Sequence, residues 1–485
     1  MRPMRALSAG LLVALVLVGC GGVNLGAGED SAAELVKPGA LVYWEVESDP
    51  DSDQWQQAEE LIRRFPDGAK WLAQLREELE SDTEVTWEEV RDVLGGTTAI
   101  VVYAASTTDV KVVGLTHPDD PDELIELVQR INAEEEDDLL TREVDGWVAL
   151  SDEEASFDAA LKGESGQALS DDQDFEDGMA ELPDDALTRV YVDVAAALET
   201  LGGAEPQSAQ VFRMLGLDDL DFAGAWAKAR EDGAELAGAL RGEGADKLLG
   251  AEDEYSSELL ELVPADAFAA YTFQGAGTTA ALQSLRGSPL YGTALREFEQ
   301  EAGVKLEDIA ELFRGEVLFY AAPGSPIPEL TLLTDAEDPA QARQSADRIL
   351  RSLAQRYGGE VTEDGDVTTA AFPGFTVNVG TAENTVVITT TKDAIAGLSD
   401  AGEKLVDTDR YQDALEVADA PEEYTTLLYL DLKETVDLVM GFASFSGETV
   451  PPELSRNLEP LRSVVAYGQK DGDLGKALLF VEIGE

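Results

Sequence analysis

Apolar positions along this chain keep two rhythms, one of strands and one of helices. The run from Ala40 to Val46 is short and mostly apolar, which predicts a strand. Trp55, Ala58, Leu61, Ile62 and Phe65 then recur at helical spacing until Pro66-Asp67-Gly68, where a turn should end the helix. Trp71, Leu72, Leu75 and Leu79 predict a second helix. In Thr86-x-x-Glu89, hydroxyl and carboxylate can each satisfy the other residue's free backbone N–H, so a third helix is expected to start there. Paired strands follow near Thr98 to Ala105 and Val110 to Thr116, then a helix carrying Leu124, Ile125, Leu127, Val128 and Ile131. Strands near Trp147 and Tyr191 and a hairpin around Asp232-Gly233 close the set. Strand pairs mixed with helix runs predict an α+β fold, a largely antiparallel sheet with helices packed on it.

The pattern is then written again. Leu35 to Val46 returns from Leu262 to Phe273, with Tyr43 set against Tyr271. Trp87 to Val90, Gly96 and Tyr103 return as Leu306 to Ile309, Gly315 and Tyr320. Val190 to Asp193 returns as Leu428 to Asp431, and Asp232-Gly233 as Asp471-Gly472. Four landmarks in one order, with offsets drifting by about twenty residues, predict an internal duplication with loop insertions. Two homologous lobes are expected, residues 34–250 and 251–485, divided where Gly242-Glu243-Gly244 and Gly250 interrupt the apolar pattern.

Ahead of the first lobe, Arg2 and Arg5 precede a mostly apolar stretch, Ala6 to Val18. At ~1.5 Å per residue it makes about 20 Å of helix, too short for a ~30 Å hydrocarbon layer, so a cleaved leader is expected over residues 1–19. Its ending, Leu17-Val18-Gly19-Cys20, resembles the bacterial lipoprotein box, in which the Cys is lipidated and becomes the new N-terminus. Cys20 is the chain's only Cys, and Gly19, Gly21 and Gly22 keep its surroundings small. The resemblance implies a lipid on Cys20, a flexible tether over residues 20–33, and anchoring on the extracytoplasmic face of the cell membrane.

Charge narrows the partners. With 99 Asp and Glu against 34 Lys and Arg, the net charge of -65 sets an acidic surface against any phosphate backbone and excludes nucleic acid. Anionic headgroups are repelled too, so lipid rather than charge should hold the protein to the membrane. One Cys and one His exclude a multi-thiolate or clustered-histidine metal site, and no cofactor is expected. An envelope protein or a lipid is the expected class of ligand.

Some residues imitate chemical sites. Asp49, Asp51 and Asp53, with Glu60 at the twelfth position, follow the ligand spacing of a calcium loop. Gln54 stands where such a loop needs Gly, and the simpler reading is that Asp51, Ser52 and Asp53 cap the next helix. Gly275-x-Gly277-x-x-Ala280 imitates a dinucleotide fingerprint but lacks the second parallel strand and its acid, so it reads as a glycine turn. His117 reads as a solvated loop side chain, as do the acidic clusters Glu134 to Asp138 and Asp171 to Asp177. The six Trp residues, all in the first lobe, are expected in its core, and Met440 to Phe445 is expected to be a buried helix end. The sequence holds no Gly-x-Ser-x-Gly elbow and no Gly-Lys-Ser/Thr phosphate loop.

The block from Tyr43 through Asp49-Pro50-Asp51-Ser52-Asp53-Gln54 to Leu61-Ile62-Arg63-Arg64-Phe65-Pro66 resembles the motif of a bacterial envelope family catalogued as domain of unknown function 3352. The resemblance extends over most of the chain after the tether and implies an envelope location, without an activity or site residues. The second copy lacks the block. A non-catalytic, membrane-anchored binding or scaffold lipoprotein is therefore expected, with a cation-dependent envelope hydrolase or calcium-binding protein as the alternative.

Overall fold

The structure, a computed structural model, describes residues 31–484 apart from 50, 84, 94–95, 107–108, 135–138, 164–165, 205–211, 214–215, 246–252, 276–290, 325–326, 399–401 and 447–449. Leu17, Val18, Gly19 and Cys20 lie outside the described residues. Two compact units divide the chain. One takes the residues up to Ala245 with Pro452–Pro460 and those from Ile483; the other takes Asp246–Pro451 and Leu461–Glu482.

The first unit is built on β1 (Val42–Glu47), β2 (Thr97–Ser106), β3 (Asp109–Thr116), β4 (Leu140–Val144), β5 (Trp147–Ser151), β6 (Thr188–Asp193), β7 (Phe222–Arg230) and β8 (Gly233–Arg241). All these pairings are antiparallel, in the order β8-β7-β6-β1-β2-β3-β5-β4. Asp145 and Gly146 both hold positive φ, 49° and 85°, which suits a two-residue hairpin and turns β4 straight into β5. Between β7 and β8 the turn falls on Glu231-Asp232, one residue earlier than the sequence suggested, because Gly233 already pairs with Arg230.

Helices α1 (Asp53–Arg64), α2 (Gly68–Thr83), α3 (Trp87–Val93), α4 (Pro121–Glu134), α5 (Glu154–Ala160), α6 (Gln173–Met179) and α7 (Val194–Ala204) join these strands. The capping box forms: Glu89 N–H donates to Thr86 Oγ1 at 3.3 Å and Thr86 N–H to Glu89 Oε2 at 3.0 Å. Side-chain alternation gives the sheet two faces. On the inner face Tyr43, Val101 and Tyr191 share a cross-strand row, and the Phe175 ring of α6 meets both tyrosines edge-on at 5.0 and 5.1 Å. On the outer face, Val90, Leu124, Leu127, Val128 and Ile131 of α3 and α4 pack on Val148 and Leu150. Val194 and Leu198 of α7 cover Ala223 and Leu240, and Trp44, Ile100, Val102 and Val112 lie between.

The second unit contains β9 (Ala269–Gln274), β10 (Glu316–Ala322), β11 (Glu329–Asp335), β12 (Glu360–Asp364), β13 (Val367–Phe372), β14 (Phe375–Ala382), β15 (Thr385–Thr389), β16 (Thr426–Asp431), β17 (Leu461–Asp471) and β18 (Leu474–Ile483). From β17 the order runs β17-β16-β9-β10-β11-β15-β14-β13-β12, again with antiparallel pairs. Its helices are α8 (Tyr291–Ala302), α9 (Leu306–Leu312), α10 (Pro339–Tyr357), α11 (Lys392–Gly397), α12 (Asp409–Val417) and α13 (Leu432–Ser446). The following helix, α14 (Pro452–Leu458), belongs to the first unit, where Asn457 exchanges hydrogen bonds of 2.6 and 3.0 Å with Asp67. The α+β class with antiparallel sheets holds.

Some hydrogen bonds within one unit have a like bond within the other. Leu169 N–H donates to Val36 O at 2.8 Å, and Leu405 N–H to Val263 O at 2.9 Å. Asp193 N–H donates to Leu41 O at 3.1 Å, and Asp431 N–H to Phe268 O at 2.7 Å. Both aspartates then cap the next helix, accepting from Ala196 N–H at 2.9 Å and Glu434 N–H at 3.0 Å. Tyr411 of α12 meets Tyr429 edge-on at 5.0 Å, as Phe175 meets Tyr191. These anchors match the row Tyr191–Tyr43–Val101 to Tyr429–Ala270–Tyr320. By strand pairing Tyr43 stands in its row where Ala270 stands in the other, one residue before Tyr271. A one-residue slip would carry it through the sheet, and Tyr43 is fully buried where Tyr271 is 38% exposed.

Candidate functional site

The Asp49 to Pro66 block fastens α1 to the sheet. Ser52 is the N-cap, its Oγ accepting from Trp55 N–H at 3.1 Å. Asp49 Oδ1 accepts from Asp51 N–H at 2.8 Å, and Asp51 lies 3.6 Å from Arg91. The Gln54 amide clamps β7, donating to Ala229 O at 3.0 Å and accepting from Ala229 N–H at 2.8 Å. Arg64 donates to Ile483 O at 2.5 Å and to Glu231 O at 2.8 Å. A Cβ on Gly68 would stand 1.8 Å from Ile62 O, so the Pro66-Asp67-Gly68 turn needs glycine for close approach.

This arrangement corrects the calcium-loop spacing. Helix begins at Asp53, so Glu60 rides seven residues along α1, about 10 Å up its axis, and cannot close on an ion beside Asp49, Asp51 and Asp53. Among the described residues no three Asp, Glu, His or Cys side chains gather as metal ligands.

Beneath α1 lies Glu47, whose carboxyl burial pushes up to about 8, with Asp49 adding repulsion. Its Oε1 accepts from Asp49 N–H at 3.1 Å. Burial therefore favours the neutral carboxyl of Glu47 over its carboxylate. Two other buried carboxyls are tied down. Glu45 accepts from Tyr43 Oη at 2.6 Å and Arg189 Nε at 2.7 Å. Glu316 accepts from Ser257 Oγ, from Thr272 Oγ1 at 2.9 Å, and from the N–H groups of Glu258 and Leu259 at 3.2 and 3.4 Å. Sequence reasoning missed all three acids. The available signal was their place in strands, where a carboxyl on a core face needs a partner.

The remaining candidates have structural roles. His117 stacks on Trp147 with centroids 5.1 Å apart. Gly275 N–H donates to Gly315 O at 2.9 Å, and a Cβ there would lie 2.4 Å from Phe313 O; Gly277 and Ala280 fall outside the described residues. Asp171 to Asp177 is no loose loop: Asp171 accepts from Ala168 N–H at 2.9 Å and Asp172 caps α6. In the other acidic cluster, residues 135–138 are not described. Of the tryptophans, Trp147 and Trp226 are buried, but Trp71 is exposed. Helix α13 runs through Met440 to Phe445, with side chains from 441 outside the described set. A cavity of about 330 Å³ beside α2 is lined by Arg63, Leu72 and Arg76, and both arginines pair with Glu59.

An outer-face row of apolar side chains lies in the second unit. Leu428, Tyr271, Phe319, Leu332 and Ile388 form one outer-face row across β16, β9, β10, β11 and β15. Phe273, Leu330 and Leu430 flank it by alternation. Phe319 is 41% and Leu330 53% exposed. At one end Ile388 packs into the cluster built by Ala346, Leu350 and Ala354 of α10; at the other, α13 packs on β16 and β17. The only ionisable group in the row is the Tyr271 phenol, which burial keeps neutral by raising its pKa.

No family model matches the sequence, and no curated protein matches it. Among solved structures the chain is similar to TP0453 in crystal forms III, IV and I, at 12%, 13% and 12% identity. The TM-scores are 0.26, 0.26 and 0.25, covering 47%, 48% and 47% of this chain and 80%, 82% and 93% of that one. At such TM-scores neither fold nor function carries over.

Proposed function

We propose that the protein is a lipid-anchored, extracytoplasmic lipoprotein of the cell envelope that binds or scaffolds a partner without catalysis, and that its two units descend from one duplicated unit. The observation that carries the binding reading is the partly open, uncharged sheet face of the second unit, in a chain of net charge -65. Contiguous apolar surface of this kind is a feature of recognition sites. The like placing of two pairs of bonds supports the duplication: Leu169 N–H to Val36 O beside Leu405 N–H to Val263 O, and Asp193 N–H to Leu41 O beside Asp431 N–H to Phe268 O. The Leu17-Val18-Gly19-Cys20 box supports the anchor, and the resemblance to the domain of unknown function 3352 family supports an envelope location.

Fractionation of cells expressing the full chain tests the anchor. The native protein is expected with membranes and Cys20→Ser in the soluble fraction; equal partition of the two removes the lipid from the account. Native mass spectrometry of the purified full chain tests binding, and a chain that carries no lipid, peptide or protein under any condition sinks that reading.

A further inference from the structure

We infer that the turn between β13 and β14 dips into the headgroup layer of a bilayer as a second, shallow membrane contact. The inference rests on the membrane-anchored reading above, which puts a bilayer within reach, and names the surface that touches it. Among the described residues six strand pairs are joined by two-residue turns, and five of those turns carry an acid. These are Asp145 between β4 and β5, Glu231 and Asp232 between β7 and β8, Asp366 between β12 and β13, Glu383 between β14 and β15, and Asp473 between β17 and β18. Thr107-Thr108, between β2 and β3, fall outside the described residues and lead straight into Asp109. The sixth described turn is Pro373-Gly374, flanked by Phe372 and Phe375. From Val367 to Ala382 the sequence runs sixteen residues without an ionisable group, in a chain where 27% of residues are charged.

The local geometry suits insertion. Phe372 and Phe375 stack with centroids 5.1 Å apart, and Phe375 is 45% exposed. A Cβ on Gly359 would stand 3.0 Å from the Phe372 ring, so the end of α10 lies beside the turn, and its last residue, Tyr357, is 62% exposed. A Cβ on Gly374 would meet nothing within 4 Å, so the turn projects and enters a partner rather than receiving one. Gly374 holds φ 95° behind a proline, the type II pattern, and Pro373 brings no N–H, which leaves one donor in the turn instead of two. Lipid tolerates few unmet backbone donors. Aromatic rings sit at headgroup level, and Arg356, exposed beside Tyr357, can meet the phosphates there. Charge sets the depth. Glu360 pairs with Ala371, one residue behind Phe372, so the acids of β12 confine insertion to the turn and its flanking rings.

The test is partition of the purified full chain onto phosphatidylcholine vesicles, native beside Phe375→Ser and Pro373→Asp, all with the same N-terminus. Each variant should partition about tenfold less, the first by losing a large apolar contact and the second by giving this turn the acid that the other five carry. Phe298→Ser, which removes an exposed ring of α8 in the same unit, should partition like the native chain. Pro373 and Phe375 are exposed, so melting temperatures should stay near the native value, and that measurement accompanies each variant. If Phe375→Ser melts early, Pro373→Asp alone decides. Native-like partition by a folded Pro373→Asp overturns the inference, as does a dimer in sedimentation that Phe375→Ser dissolves. Mass spectrometry at Cys20 keeps the two readings apart. An unmodified thiol removes the anchor but leaves the comparison of turns intact, because the variants share that N-terminus; a lipidated chain indifferent to its turn keeps the anchor and ends this contact.

Discussion

The indole N–H of Trp55 donates to the backbone carbonyl of Glu47 at 2.7 Å, so the first turn of α1 closes over the end of β1 and shuts a carboxyl away from water. The helix cap formed by Ser52 and the buried acid beneath it thus belong to one local packing arrangement.

Glu47 makes stability depend on pH. Its carboxyl titrates at about 8 when folded, against 4.5 for an ordinary Glu. Between those values the unfolded chain has released the proton and the folded chain keeps it, so stability falls as pH rises through the window. Glu47→Gln stays neutral and removes that slope. From pH 5 to 8 the native protein should lose about 1–3 kcal/mol more than the variant in urea unfolding. Parallel pH profiles for the two proteins would refute the assignment.

Glu316 gathers four donors, so its truncation should be costly. Glu316→Ala removes the acceptor of the Ser257 and Thr272 hydroxyls and of the Glu258 and Leu259 N–H groups, although Thr272 keeps Tyr255 as a partner. The expected loss is about 3–5 kcal/mol, with a smaller loss for Glu316→Gln, which keeps one acceptor oxygen. Denaturant midpoints measure both, and equal losses for the two variants would contradict the role given to the carboxylate.

Gly68→Ala should destabilise by about 1–3 kcal/mol, because the added carbon displaces the start of α2 from the end of α1. Gly163, with nothing within 4 Å of its would-be Cβ, is the control, and Gly163→Ala should be close to neutral. A Gly68→Ala melting temperature equal to the native one would mean that the turn opens at no cost.

Millimolar calcium should leave the melting temperature unchanged, since Asp49 already accepts from Asp51 N–H, Asp51 faces Arg91, and Glu60 lies too far along the helix. An upward shift that Asp49→Asn abolishes would restore the cation reading.

Much of the fold could be read from periodicity. The stripe Leu124, Leu127, Val128 and Ile131 is buried as its spacing requires, and Thr86 with Glu89 caps α3. Register was harder. Matching Tyr43 to Tyr271 by identity sets a buried ring against an exposed one, whereas counting from the backbone bonds at Leu41 and Phe268 sets Tyr43 against Ala270. The like bonds of Leu169 and Leu405 and the like ring contacts of Phe175 and Tyr411 were not legible, because hydrogen bonds and ring contacts are not displayed by the letters. The buried acids were hidden for a simpler reason: in a chain one-fifth acidic, Glu47 and Glu316 look like any surface carboxylate until a strand turns them inward. The uncharged row of the second unit required strand order, since its five members come from separate stretches of chain.

Asn457 reaches back to Asp67, and β1 sits between β2 and β6. A ribosome reads the chain from its beginning, so the opening strand must wait for the sixth, and the first unit cannot be finished until nearly the last residues have been made. Closing loops that long is slow. Strands β1 to β8 are all made by Arg241, yet α14 arrives roughly two hundred residues later, so the packing of α14 is among the last parts of the first unit to close.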